Sequence, residues 1–180
     1  MAKRTLAVAL ATALLGAAGA AAQAPSAPPK PGPEHEKIGF FAGRWTFDAE
    51  MKPSPFGPGG KVTGSETCEW FPGGFQLTCR SESKGAMGEG KGMGIWAYDP
   101  AEKVYTYYAL ESSGHAFLSK GKVEGDTWTW KNDMKMGDKT LQSLFTIKQI
   151  SADVYTFKWE TSPDGTAWAT MEEGKGTRAK

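Results

Sequence analysis

Cys68 and Cys79 are the only cysteines in a chain of 180 residues, with ten residues between them. A pair like this can close a disulfide, ligate a metal or cycle as a redox couple. The spacing is not CxxC, and no further cysteine completes a zinc set. The histidines number two. His35 sits between Glu34 and Glu36, but PEHEK lacks the second histidine of a zincin helix and reads as a solvated helical turn. His115 follows Ser112-Ser113-Gly114. Turned into a cavity, it could ligate haem or donate a hydrogen bond. It makes no serine hydrolase, because the chain has no nucleophile elbow and no acid placed behind the imidazole. Met87, Met134 and Met136 offer soft thioethers that suit periplasmic copper, yet no MxxM cluster gathers them. Gly85, Gly88, Gly90, Gly92 and Gly94 form a glycine-rich run. A phosphate loop would need a helix after it. A strand follows instead, so the run reads as a flexible hairpin loop and a kinked strand. Glu66 and Glu111 are candidate acids for catalysis inside a cavity. No residue is assigned a catalytic or metal-binding role.

The elements that would hold these groups are strands. From Arg44 to Met51 the residue types alternate without a break: Trp45, Phe47, Ala49 and Met51 are apolar, and Arg44, Thr46, Asp48 and Glu50 are polar. Strict alternation means one buried and one wet face. The pattern returns at Tyr155, Phe157 and Trp159, at Leu141, Phe145 and Ile147, and at Trp128 and Trp130. Ten strands are predicted, over 43–51, 61–71, 75–83, 91–98, 103–110, 114–122, 126–134, 139–149, 153–161 and 167–176. Ile38 and Phe41 fit one helical turn before the first. No connection is long enough for a crossover helix, so neighbours pair antiparallel. Closing such a meander removes its two raw edges. The fold class is therefore all-β, an antiparallel up-and-down barrel of about ten strands. A two-residue Gly73-Gly74 turn sets Cys68 opposite Cys79 in a hydrogen-bonded pair.

Composition bounds the rest. Lys3 and Arg4, the apolar run Leu6 to Ala18 and Ala20-Ala21-Ala22 have the form of a signal peptide over 1–22. Its apolar core is shorter than the ~20 residues of a spanning helix. The expected product is exported, periplasmic or secreted, with no membrane insertion. In that compartment two cysteines facing across a hairpin favour a structural disulfide. Residues 23–33 read as a Pro/Ala-rich disordered tether, and 34–180 as a single domain. Without Lys3 and Arg4 the chain has 19 basic and 20 acidic side chains. That balance argues against nucleic acid, whose binders carry a basic stripe. Seven Trp, nine Phe and five Tyr supply a large core.

Several stretches resemble one family: PGPEHEKIGFFAGRW (31–45), MKPSPFGPGGK (51–61), ETCEWFPGGFQLTCRSE (66–82), YDPAEKVYTYY (98–108), GDTWTW (125–130) and SPDGTAW (162–168). Together they resemble the bacterial exported proteins grouped as domain of unknown function 1579, within the lipocalin-like (calycin) barrels. The resemblance implies the barrel and carries no activity. Gly43-x-Trp45 at the head of the first strand also resembles the start of lipocalin-type barrels. It implies that Trp45 lies at the closed end, with an arginine near the chain end packed over it; Arg178 is the candidate. A more distant resemblance links the barrel to nitrobindins and fatty-acid-binding proteins. Nitrobindins ligate haem through a histidine late in the barrel, and this chain has none after His115.

If the first strand starts at the closed end, strand parity puts loops 52–60, 84–91, 111–114, 134–139 and 162–167 at the open end. Phe56, Met87, Met134 and Met136 then rim the opening, with Phe56 at the tip of a lid. Tyr107, His115, Trp128 and Trp130 are the expected interior contacts of a small apolar or amphipathic ligand; Trp96 is out of phase with Ile95. The alternatives are a haem or metal barrel using His115, and an enzyme with a cavity carboxylate. No other cofactor is implied.

Overall fold

A computed structural model describes residues 29–55 and 57–180. The signal-peptide reading, most of the tether and Phe56 lie outside the described residues. The ordered chain opens with α1 (Pro33–Ile38) and a 3-10 turn (Gly39–Phe41). Ten strands follow: β1 (Gly43–Met51), β2 (Gly60–Trp70), β3 (Gln76–Gly85), β4 (Gly88–Asp99), β5 (Val104–Glu111), β6 (Ala116–Glu124), β7 (Thr127–Met136), β8 (Lys139–Ser151), β9 (Val154–Ser162) and β10 (Ala169–Arg178). Each pairs antiparallel with the next, and β10 closes on β1. Closure leaves no open sheet edge. Among the described residues no helix is long and apolar enough to cross a membrane.

One end of the barrel is solid. Ile38, Phe41, Trp45, Leu77, Trp96, Tyr105, Trp128 and Tyr155 are all buried in one cluster there. α1 and the 3-10 turn plug it: the Phe41 ring stacks on Trp96 at 4.4 Å and meets Trp128 edge-on at 5.4 Å. Trp45 Nε1 donates to the Phe41 carbonyl at 2.9 Å. The Arg178 guanidinium lies 4.2 Å from the centre of the Trp45 ring. It also donates to the carbonyls of Ala42 at 2.6 Å and Phe40 at 2.9 Å, and to Asp153 Oδ1 at 3.1 Å. One side chain thus ties the plug to the last strand and to the β8–β9 turn. His35 belongs to this end as well. Its Nδ1 accepts from the Gly32 N–H at 3.1 Å, and its ring meets Phe75 at 5.1 Å.

Cys68 and Cys79 form a disulfide. The hydrogen-bonding phase of the hairpin differs from the one expected. The Phe71 N–H donates to the Gln76 carbonyl at 2.8 Å. The turn therefore holds four residues, Pro72 to Phe75, rather than Gly73-Gly74 alone. Hydrogen-bonded pairs then fall on 71/76 and 69/78, and Cys68/Cys79 becomes a non-hydrogen-bonded pair with Cα atoms 4.0 Å apart. That close approach is the one in which cross-strand side chains meet most directly. Protein purified without reductant should show no titratable thiol after denaturation. Replacing both cysteines by serine should lower stability by about 2–3 kcal/mol. Two free thiols in the thiol titration would refute the bridge.

The strand read from Gly92 and Gly94 is there, and the hairpin loop expected before it shrinks to a tight turn. β3 continues to Gly85 and β4 starts at Gly88, leaving a turn of two residues. The outward side chains hold the ladder, with Lys91 and Glu82 at 3.0 Å and Lys84 and Glu89 at 3.5 Å. The inward glycines make room for rings on neighbouring strands. A Cβ at Gly94 would sit 2.5 Å from Tyr107 Cε2. β7 likewise runs on to Met136, so Met134 and Met136 stand on a strand facing in, not on a loop.

Candidate ligand-binding site

The interior changes character along the barrel axis. At the closed end the inward side chains are large and buried. Toward the open end the wall formed by β3, β4 and β5 carries mostly small residues inward, Ser81, Ser83, Gly85, Gly90, Gly92, Gly94 and Ala109, with Glu111 at its upper edge. Ser81, Ser83, Gly90 and Gly92 are only half-buried although they face inward. The wall five strands round the ring is bulky: Phe145 and Phe157 stack at 5.7 Å, and Trp159 Nε1 donates to Ser143 Oγ at 3.0 Å. A small-residue wall thus faces an aromatic one across the open half.

Glu66 stands at the foot of the small-residue wall. It lies inward on β2, level with Trp45 on β1 and Ser81 on β3, one step above the disulfide. No hydrogen-bond or ion-pair partner is found for it among the described residues. Desolvation pushes its carboxyl up to about 7. Glu66 in turn raises the hydroxyls of Tyr107 and Tyr155, both already raised by burial. Its carboxylate lies within 4.8 Å of both cysteine sulfurs, the one such cluster of potential metal ligands among the described residues. The sulfurs are bonded to each other and supply no thiolates, so this is not a metal set as it stands.

Around Glu66 the aromatic lining is dense. Tyr107 packs on Trp96 at 4.8 Å and reaches Trp130 at 6.1 Å; Trp128 and Trp130 stack at 6.0 Å. The Nε1 atoms of Trp96, Trp128 and Trp130 are buried without an acceptor. Buried donors are usually paired. Three orphan donors in one aromatic cluster mark a region whose polar groups the protein does not satisfy by itself. Farther up, Ser119 Oγ donates to Asn132 Oδ1 at 3.1 Å. Near the rim the Glu172 carboxyl faces inward, raised by desolvation.

Not every residue singled out in the sequence reaches the interior. Tyr107, Trp128 and Trp130 lie inside, and Met134 and Met136 face in above them. Met87 is 59% exposed at the β3–β4 turn and rests against Gly57 of the 52–59 loop. His115 is in the turn before β6, not on it. Its side chain is 78% exposed, with Nδ1 3.1 Å from Ser113 Oγ and 3.7 Å from Glu111 Oε2. It does not look into the barrel. Cys68, Cys79, Gly43, Trp45 and Arg178 build the floor and the closed end. Trp96 proves to be inward and buried, in phase with the glycines of β4. Ser81 and Ser83 were missed; their signal is the alternation of small and charged residues from Arg80 to Gly85.

Comparison with known proteins agrees with this architecture. The sequence model of the family described as "Protein of unknown function (DUF1579)" matches residues 30–178. A search of curated proteins finds no match. Among solved structures, Rv2717c from M. tuberculosis is similar with a TM-score of 0.59 at 13% identity, over 83% of this chain and 99% of that one. The S-type phycobiliprotein lyase CPES from Guillardia theta has a TM-score of 0.57 at 11% identity, over 82% and 93%. At such identities the likeness concerns the fold.

Proposed function

The chain belongs to the DUF1579 family of proteins of unknown function, and we propose that it is an exported, non-enzymatic barrel that binds a small amphipathic molecule in its open half. The observation that carries this reading is the graded interior: an aromatic plug at one end, and half-buried small residues facing an aromatic wall at the other. Inward residues this small are poorly suited to filling a barrel of ten strands as a packed core would. The phycobiliprotein lyase named above shares the fold, and the proposal does not depend on its ligand. Ligand would enter between the loops at 52–59, 86–87, 112–115, 137–138 and 163–168. The last of these is held open by its own turn, in which Asp164 Oδ1 accepts from the N–H groups of Thr166 at 2.8 Å and Ala167 at 3.1 Å.

The test is a titration with an uncharged solvatochromic dye such as Nile red, followed by dye and indole emission. Wild type should bind saturably. Ser81→Phe puts a ring into the open half and should weaken binding about tenfold or more, a change of about 1.4 kcal/mol. Its melting temperature should stay close to that of wild type, because on this reading the ring fills space already open. Equal affinity in the two proteins, or no saturable binding, would refute the open half as the binding site.

A further inference from the structure

We propose that the ligand held in the barrel is an organic cation, an amphipathic ammonium compound whose charge pairs with Glu66. This rests on the ligand-barrel reading above and adds the sign of the ligand's charge. The first observation is the charge inventory of the interior. Among the described residues, the inward positions of the ten strands carry Glu66 at the floor and Glu172 and Glu111 nearer the rim. They carry one lysine, Lys139, exposed at the rim where β8 begins opposite Met136. Their one arginine is Arg178, at the closed end below the plug, already engaged with Trp45, three backbone carbonyls and Asp153. A carboxylate or phosphate brought down to the floor would meet Glu66 there, with the one lysine left behind at the rim.

The second observation is that Glu66 has no hydrogen-bond or ion-pair partner among the described residues. A carboxyl withdrawn from water without one is costly to the fold, and replacing it by an apolar residue would remove the cost. A ligand that brings the complementary charge offsets it. The third observation is the lining. Trp45 lies level with Glu66, Tyr107 and Tyr155 lie within its electrostatic reach, and Trp96 and Trp130 stand behind Tyr107. Aromatic faces around one carboxylate are the surroundings in which an alkylammonium is stabilised, by ion pairing and by the ring quadrupoles together. The buried Nε1–H groups of Trp96 and Trp130 have no acceptor, so a hydroxyl or acyl oxygen near the ammonium would complete their hydrogen bonding.

The experiment uses three probes of equal chain length, all below their micelle concentrations: decyltrimethylammonium, decanol and decanoate. Each displaces Nile red from wild type and from Glu66→Gln at about pH 8. For wild type the expected order is ammonium tightest, then decanol, then decanoate, with roughly tenfold or more between the two ions. In Glu66→Gln the preference for ammonium over decanol should fall to about onefold, while decanol affinity holds. Gln keeps the shape and removes only the charge, and a thermal melt confirms the variant is folded. Decanoate binding as tightly as the ammonium, or a preference that survives in Glu66→Gln, would overturn the cation assignment while leaving the barrel reading intact. Failure of all three probes to displace the dye would overturn both.

Discussion

Replacing Trp45 by alanine is expected to lower the unfolding free energy by about 3–5 kcal/mol. The indole is fully buried and touches both halves of the closed end. Its ring lies 5.4 Å from Phe40 of the plug and 5.0 Å from Tyr155 of β9, with the Arg178 guanidinium over its face. Alanine leaves a cavity that these groups cannot collapse into, because each is fixed elsewhere. It also leaves the Phe41 carbonyl without the donor it now has, and removes a cation–π contact of about 0.5–2 kcal/mol. Urea unfolding followed by far-UV dichroism measures the loss. A change below about 1 kcal/mol, the size expected at a surface site, would mean that Trp45 is not the keystone of the closed end.

The second large effect concerns pH. The Glu66 carboxyl is raised from 4.5 to about 7 in the folded protein. Between those values the folded state keeps a proton that the unfolded chain has lost. Folding stability is therefore unaffected below pH 4.5, falls as pH rises toward 7, and stays reduced above it. The shift corresponds to about 3 kcal/mol at full extent. Glu66→Gln cannot ionise. It should match wild type near pH 4.5, where Glu66 is still largely protonated, and exceed it by about 2–3 kcal/mol above pH 7. Taking the difference between the two proteins cancels the contributions of the exposed carboxylates, among them Glu34 and Glu173, which their lysine partners hold below the usual range. Parallel stability–pH curves would show that Glu66 is not desolvated in the folded state.

The fold was legible in the sequence because its strands state their own period. β1, β7 and β9 alternate apolar and polar residues with hardly an exception, and turn residues separate nearly every pair. What escaped depended on partners distant in sequence. The stretch from Gly85 to Gly90 has the composition of a loop. It is strand but for a turn of two residues, because β3 and β4 stay paired out to Gly85 and Gly88. Trp96 was misjudged because, with glycines at the inward positions, β4 shows no apolar face to count from. The phase of the Cys68/Cys79 pair turned on whether two or four residues make the turn, which Pro72-Gly73-Gly74-Phe75 does not decide locally. His115 looked like a strand residue and stands one position outside the strand, where its side chain is free to point to solvent. Glu66 could be suspected as an interior acid from strand parity alone. That it has no partner among the described residues is a fact about nine other strands.

A ligand that enters the open half should stop above the aromatic plug. The indole N–H resonances of ¹⁵N-labelled protein, assigned by single Trp→Phe variants, test this most directly during titration with decyltrimethylammonium. The signals of Trp96 and Trp130, whose buried donors lack acceptors, and of Trp45 beside Glu66 should move together and saturate with one dissociation constant. That of Trp70, exposed at the far end of β2, should stay where it is. Shifts confined to Trp70, or no saturable shift at any interior indole, would contradict a ligand in the barrel.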